Sequence, residues 1–213
     1  MFLRRASLIA ILGVVWGCGT HSHFQSAKTL DQGQWETAWG VGWNSIGTAT
    51  IFSKFGLGLT NRFELGLHFE LLQILLRPRV SLLKQNEGKA LSWTLGAEFG
   101  KFFPLSNYWS KYPASQQPSP EQLVLLSQSQ GLSIGVDTQF GYLVEKFEMG
   151  GLIKVGRLLG LPGSHSLFGG TLRYYSVHDW FIGFEICYLT HNWTLAPVAH
   201  EGFQSAFGVG QVF

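Results

Sequence analysis

The sequence predicts an all-β protein: a closed antiparallel up-and-down transmembrane β-barrel of about ten strands, within a range of about eight to twelve. Apolar side chains recur at every second position through stretches of roughly nine to twelve residues, which is the period of a β-strand. The positions between them carry charged residues and glycines, of which the chain has 27. Charged residues make up 13% of the sequence, about half of their usual share in soluble domains. We therefore expect the apolar strand faces to contact lipid.

The first 17 residues have the composition of an export signal. Arg4 and Arg5 precede an apolar stretch over residues 6–16, and Gly17 follows it. A basic segment, an apolar segment and a small residue in this order are typical of a signal peptide. Residues 1–17 are therefore predicted to direct the chain out of the cytoplasm.

Cysteine appears twice, at Cys18 and Cys187. The run over residues 14–18 resembles a bacterial lipobox, which implies that Cys18 is lipidated and becomes the new amino terminus. Residues 18–34 are then expected to form a lipidated tether, and residues 35–213 the barrel. Under this interpretation Cys187 is a small buried side chain. The alternative is a disulfide between the two cysteines in the oxidising periplasm.

Ten segments show the alternation. Residues 35–43 carry three Trp and one Val on one face and Glu, Ala and two Gly on the other. Pro78 weakens the fourth segment because proline lacks a ladder donor. Residues 101–130, with four prolines, predict a long external loop. The predicted strands cover residues 35–43, 49–60, 63–70, 75–84, 90–100, 132–142, 147–157, 168–174, 180–188 and 203–213.

Glycine decides which face points inward. On the water side of a soluble barrel it would weaken the strands without benefit, whereas in a narrow lumen it leaves room for bulky side chains. The charges that share this face are of mixed sign and can pair internally, which matters because unpaired buried charges are costly. The predicted lumen network comprises Glu36, Lys54, Glu64, His68, Glu70, Arg77, Arg79, Glu98, Asp137, Glu148, Lys154, Arg173 and Glu185.

The spacing of aromatic residues along the strands gives an estimate of the height of the apolar band. Trp35 and Trp43 are eight residues apart on one face, as are Trp180 and Tyr188. At about 3.3 Å per residue each pair spans about 26 Å along its strand. A tilt of about 40° reduces this to about 20 Å, close to the apolar band of about 25 Å that aromatic girdles flank. The predicted girdle residues are Trp35, Trp43, Trp93, Tyr142, Trp180 and Tyr188.

Alternate connections differ in length. The short set comprises residues 61–62, 85–89, 144–146 and 178–179, and the other set includes residues 101–130, 158–167 and 190–202. Bacterial barrels have short periplasmic turns and longer external loops. An even number of strands then places both chain termini in the periplasm.

Phe213 ends the sequence, and Phe207 and Val209 precede it in the same alternation. This pattern resembles the carboxy-terminal aromatic signal of bacterial outer-membrane barrels, which the barrel-insertion machinery reads. The resemblance implies that outer-membrane lipid and this machinery are partners of the chain, with a lipid on Cys18 entering the inner leaflet.

Three groups of residues are candidates for sites of chemistry. His68 and Glu70 share the lumen face and could do acid–base work, although a structural histidine in an ionic network is the simpler interpretation. Residues 164–166, Ser-His-Ser, fall in a predicted external loop without catalytic partners at a defined spacing. A third group could bind metal but lacks a fixed ligand spacing: His191, His200 and Glu201. No catalytic, cofactor or metal site is predicted.

A net charge of +2 with scattered Lys and Arg argues against nucleic acid as a partner. The leading hypothesis is a non-enzymatic outer-membrane lipoprotein barrel with a side-chain-filled lumen and a structural or surface-interaction role, for an external partner that the sequence does not identify. Three alternatives stay open: a small porin or channel, an outer-membrane enzyme that hydrolyses lipid or peptide, and a soluble periplasmic barrel with its apolar face inward.

Overall fold

The computed structural model describes residues 24–44, 49–70, 73–84, 90–102, 120, 131–159, 163–176, 178–191 and 202–213. Ten strands within these segments form a single antiparallel sheet. Its strands are β1 (Trp35–Asn44), β2 (Ala49–Gly58), β3 (Phe63–Glu70), β4 (Gln73–Leu83), β5 (Leu91–Phe102), β6 (Leu132–Val144), β7 (Phe147–Leu158), β8 (His165–Tyr175), β9 (Trp180–His191) and β10 (Gly202–Val212).

The sheet closes on itself. Each strand pairs antiparallel with its neighbours in sequence, and β1 pairs with β10. Beyond the last registered pair, the amide of Trp35 donates to the carbonyl of Phe213 at 3.1 Å, and the amide of Phe213 donates to the carbonyl of Trp35 at 2.8 Å. Closure removes free sheet edges. The predicted ten-stranded up-and-down barrel is confirmed.

Buried and exposed side chains alternate along the strands, and the charged side chains are the buried ones. In β3, Glu64, His68 and Glu70 are buried, whereas Leu67 is exposed and Leu65 is half-buried. Because side chains point to opposite faces at successive positions, the first set faces the barrel axis and the second faces outward. The inside of the barrel therefore carries the charges, and the outside carries the large apolar residues.

Every strand except β3 differs from its predicted bounds by a few residues at one end or both, and β4 and β8 show why. Pro78 lies inside β4, in register with Leu65 of β3, and the irregularity of β4 is a register shift against β5 between Ser81 and Leu83. Strand β8 begins at His165 rather than at residue 168. Predicting a loop over residues 158–167 was therefore wrong at its carboxy-terminal side, because a polar residue on a lumen face resembles a loop residue in sequence.

The remaining long connections are also shorter than predicted. Residues 101 and 102 complete β5, and β9 extends through His191. Residues 103–119 and 121–130 lie outside the described residues. Within the described segments, no helix is long and apolar enough to cross a membrane.

Candidate functional site in the barrel lumen

The interior of the barrel is dominated by ionisable side chains. All thirteen residues predicted for the lumen network are buried. Seven of them are carboxylates, five are Lys or Arg, and one is His68. Apolar lumen residues that the sequence interpretation did not single out accompany them: Phe52, Leu75, Leu152, Leu167, Phe181 and Leu189.

Two carboxylates each hold two cations. Glu98 accepts from Lys154 at 2.7 Å and lies 3.2 Å from Arg77. Glu98 lies on β5, Arg77 on the neighbouring β4 and Lys154 on β7, so the pairs link three strands of the same part of the wall. Such pairing offsets the cost of burying charge.

Glu36 makes the equivalent contacts on the other side of the barrel. It accepts from Lys54 of β2 at 2.6 Å and from Arg173 of β8 at 3.4 Å. Because β1 neighbours β2 but not β8, the second bond reaches across the interior. The network thus joins distant parts of the barrel wall.

The lumen also contains part of the chain itself. Residues 24–30 precede β1, belong to no strand and are almost entirely buried inside the barrel. We call this segment the plug. The sequence predicted a tether over residues 18–34, and nothing in its local pattern pointed to an internal position. Residues 18–23 of that predicted tether lie outside the described residues.

Lumen carboxylates accept the hydrogen bonds that the plug donates. Glu185 accepts from the amide of residue 24 at 2.5 Å. Glu148 accepts from the Ser26 hydroxyl and the Ala27 amide, both at 2.8 Å. Glu64 accepts from the side-chain amide of residue 25 at 2.9 Å and the main-chain amide of residue 30 at 3.0 Å. Carboxylates therefore replace the ladder partners that the plug lacks.

Lumen donors bind the plug carbonyls. Arg173 Nη2 donates to the carbonyl of Phe24 at 2.9 Å. Arg79 Nη2 donates to the carbonyl of Ser26, and Thr94 Oγ1 to that of residue 27. Buried main-chain groups need such partners, and charge-assisted bonds are stronger than neutral ones.

Phe24 anchors the far end of the plug in an aromatic pocket. Its ring centroid lies 5.0 Å from that of Phe52 and 6.4 Å from that of Phe181. The Arg173 guanidinium lies over both Phe24 and Phe181, at 5.4 and 4.4 Å from the ring centroids. Ala38 and Ala206 complete this buried cluster.

Glycines make the space for the plug. A Cβ added at Gly183 would lie 2.7 Å from Cζ of Phe24, and one added at Gly208 would lie 2.9 Å from the same atom. At Gly141 it would lie 2.7 Å from Cβ of Ala27. Glycine on the lumen face therefore serves the plug as well as the bulky lumen side chains.

A salt bridge holds the entrance of the plug at the short-turn end of the barrel. Lys84 Nζ donates to Oδ1 of Asp31 at 2.6 Å and to the carbonyl of Asn61 at 2.5 Å. The hydrogen bond from Lys84 lowers the pKa of Asp31 below its usual value. The main chain is fixed beside it, because the amide of Gly33 donates to the carbonyl of Gly58 at 2.8 Å.

A cavity of about 260 Å³ remains beside the plug at this end. It lies between the plug and the turns that follow β6 and β8, and its lining includes Lys28, Thr29, Lys146 and Asp179. The Thr29 hydroxyl is buried here and has no hydrogen-bond partner in the described part of the chain. The plug therefore leaves free space at the short-turn mouth.

The candidate catalytic residues are enclosed. His68 Nε2 lies 3.1 Å from Glu70, which also accepts from Gln73 at 2.5 Å, and the His68 ring stacks on Phe52. His165 is buried in β8 facing the lumen, so its predicted position in an external loop was wrong. The residues described contain no cluster of three metal ligands. His200 and Glu201 lie outside them.

Of the two cysteines, Cys187 lies within the described residues. Cys187 is buried and unbridged on the lumen face of β9, beside Gly169. Cys18, the predicted lipidation site, lies outside the described residues.

The outer surface is apolar over the whole circumference. Trp39 is 53% exposed and Phe140 is 47% exposed, and the other large outward residues have similar exposure. Of the predicted girdle residues, Trp35, Trp93, Tyr142 and Trp180 lie at the short-turn end, and Trp43 and Tyr188 lie at the opposite end.

The carboxy-terminal residues singled out in the sequence also face outward. Phe207 and Phe213 are exposed, and Val209 is half-buried. Phe213 stacks on Trp35 with ring centroids 4.1 Å apart. The last residue therefore completes the outer surface where β1 and β10 meet.

A closed barrel with an apolar outside and a charged inside belongs to the class of transmembrane β-barrels, because each described strand is paired on both sides and the apolar face suits hydrocarbon. The fold is similar to the N-terminal β-barrel domain of Pseudomonas aeruginosa OprF (12% identity, 86% of this chain, 100% of that chain, TM-score 0.38). It is also similar to the NanC porin (11% identity, 83% of this chain, 98% of that chain, TM-score 0.44). No protein-family model and no curated protein matches the sequence.

Proposed function

We propose that this chain is an integral bacterial outer-membrane β-barrel lipoprotein with an occluded lumen, and that its role is structural or one of surface interaction rather than enzymatic. The observation that carries the proposal is that the barrel wall has charged side chains on its inside and large apolar side chains on its outside. The outside exposes large apolar side chains, among them Leu57, Leu67, Trp93 and Phe184. Contact with lipid hydrocarbon removes these side chains from water. The soluble alternative requires these side chains to face inward, and they do not.

Connection lengths support an outer-membrane orientation. Residues 35 and 213, where the strands of the barrel begin and end, lie at the short-turn end, which is the periplasmic end in bacterial barrels. The outward-facing Phe213 is available to the barrel-insertion machinery. We therefore place residues 103–130 on the cell exterior, as the segment that meets an external partner.

Lipidation of Cys18 is the part of the proposal that rests on sequence alone. Intact mass measurement of the membrane-extracted protein tests it. We expect a protein that begins at Cys18 and carries acyl chains, and Cys18→Ser should abolish the acyl mass. An unacylated mature protein would remove the anchor and leave the barrel proposal intact.

Burial of the candidate catalytic groups supports a non-enzymatic role. His68 is fully buried and its ring stacks on that of Phe52, so no face of the imidazole is open to a substrate in this arrangement. We expect no hydrolysis of phospholipid or peptide that depends on His68 or His165. A measured activity that His165→Ala abolishes in a folded barrel would favour the enzyme instead.

Protease accessibility on intact cells tests location and orientation together. The same protease recognition sequence is inserted at residues 103–119 in one variant and at residues 85–89 in a matched control. We expect cleavage of the first on intact cells and of the second only after the outer membrane is opened. Cleavage of both, or of the control alone, would contradict the proposed orientation. Recovery of the protein in the soluble periplasmic fraction would contradict the barrel proposal itself.

A further inference from the structure

Barrel width explains why a chain segment can enter the lumen. Eight strands enclose an interior just wide enough for side chains to fill, and diameter grows roughly linearly with strand number. Ten strands therefore leave more room than lumen side chains occupy. In this barrel the extra space is taken by the plug, residues 24–30.

Water can replace the hydrogen bonds that attach the plug to the barrel wall. It has no ladder hydrogen bonds, and its main chain is held by side chains of Glu64, Glu148, Glu185, Arg79 and Arg173. Charged side chains hydrate readily once solvent reaches them. Phe24 is the one aromatic anchor, and the residues that follow it are mostly small or polar.

The short-turn mouth leaves space for movement. The cavity of about 260 Å³ lies directly beside Lys28 and Thr29. The entrance described above is held by the Asp31–Lys84 salt bridge, by main-chain bonds between residues 33–34 and Gly58, and by a bond from the amide of Gln32 to the side chain of Asn61. Residues 24–30 belong to no strand, so their displacement breaks no ladder hydrogen bond of the barrel wall.

The ionisable residues of the lumen have an acidic excess. Three carboxylates, two arginines and Lys84 contact the plug, whereas the whole predicted network has seven carboxylates and five Lys or Arg. Carboxylates that line a water-filled path favour cations. The path that the plug vacates should therefore select for cations over anions.

We propose that residues 24–30 are a removable plug, and that their displacement opens a cation-selective aqueous pathway through the barrel. This inference rests on the proposed membrane-spanning barrel and adds a transport activity to it. It also accommodates the small-channel alternative, since the same chain would be closed with the plug in place and conducting without it.

Two variants of the full chain test the proposal without changing any strand. The first deletes residues 24–30. The second is Ala27→Trp, because Ala27 is buried against Gly141 and a tryptophan cannot occupy that space. Gln32→Trp is the matched control, since Gln32 is exposed outside the mouth.

The measurement is planar-bilayer recording under a KCl gradient, with strand content of each refolded protein checked by circular dichroism. We expect no steady conductance from the natural chain or from Gln32→Trp. We expect steady conductance from both plug variants, with a reversal potential displaced toward the potassium equilibrium value. A displacement toward the chloride value would overturn the selectivity.

Other outcomes overturn the plug itself. Folded plug variants that stay closed, or a natural chain that conducts as well as they do, would exclude a removable plug. Failure of both plug variants to form barrels while Gln32→Trp does so would show that the segment is part of the folded wall. If even the natural chain does not insert into the bilayer, the membrane-barrel proposal fails instead.

Discussion

Placing arginine on the outer face tests whether that face contacts hydrocarbon. Trp39 lies midway between Trp35 and Trp43 on the outside of β1. Four residues at about 3.3 Å each put it about 13 Å along the strand from either neighbour. A tilt of about 40° converts this to a depth difference of about 10 Å. Trp39 is thus expected near the bilayer midplane, and Trp43 near one interface.

The expected loss of stability depends on the depth of the substituted position in the bilayer. Arginine on the lipid face of a barrel costs about 2–4 kcal/mol at the midplane and about 0–1 kcal/mol near an interface. Trp39→Arg should therefore destabilise the barrel by about 2–3 kcal/mol more than Trp43→Arg. That difference is a factor of about 30 to 150 in the unfolding equilibrium constant.

Trp43→Arg is a close control because both positions lie on the same strand and face and lose the same side chain. The assay is equilibrium unfolding by urea in phospholipid vesicles, followed by the emission of the remaining tryptophans. Equal losses at the two positions, or a larger loss at Trp43, would refute the assignment of this face to the hydrocarbon core.

Further predictions concern the interior. Glu98→Gln should lower the free energy of unfolding by about 3–5 kcal/mol because two buried cations lose their shared carboxylate, whereas Arg62→Gln at an exposed turn should cost less than about 1 kcal/mol in the same titration. The Asp31 carboxylate, with its lowered pKa, should stabilise the mouth above pH 3.8 and lose this effect as pH falls through the lower folded value. Asp31→Asn should remove that acid-dependent component from unfolding curves, and unchanged curves would contradict it. In a Cys18→Ser background, Cys187 should resist a membrane-impermeant maleimide until the barrel is unfolded; rapid labelling of the folded barrel would place this thiol outside the lumen.

Strand alternation made most of the fold predictable, because each side chain has only two faces to choose from. In β5, Leu91, Trp93 and Leu95 face outward and Ser92 and Thr94 face inward, as the period-two pattern requires. The first residue of β8 was harder to predict from the sequence. His165 is a polar residue beside other polar residues, and nothing local separates a lumen position from a loop.

The plug could not be predicted in the same way. Its contacts join residues far apart in sequence: the amide of Phe24 and Glu185 are 161 positions apart. The segment has no periodicity, because its main chain bonds to side chains instead of a neighbouring strand. The available signal was the large number of lumen glycines, some of which face the plug rather than bulky wall side chains.

The bonding of Glu148 suggests why the lumen should have two states and no stable intermediate. Its carboxylate accepts from Ser26, Ala27 and Tyr175, all neutral donors, and two of these belong to the plug. Without the plug, a dry lumen would leave a buried carboxylate short of partners, which is strongly unfavourable. Water must then enter to hydrate it. A lumen lined by such groups is therefore either closed by the plug or open to water, and a polar plug that exchanges places with water is a physically reasonable gate.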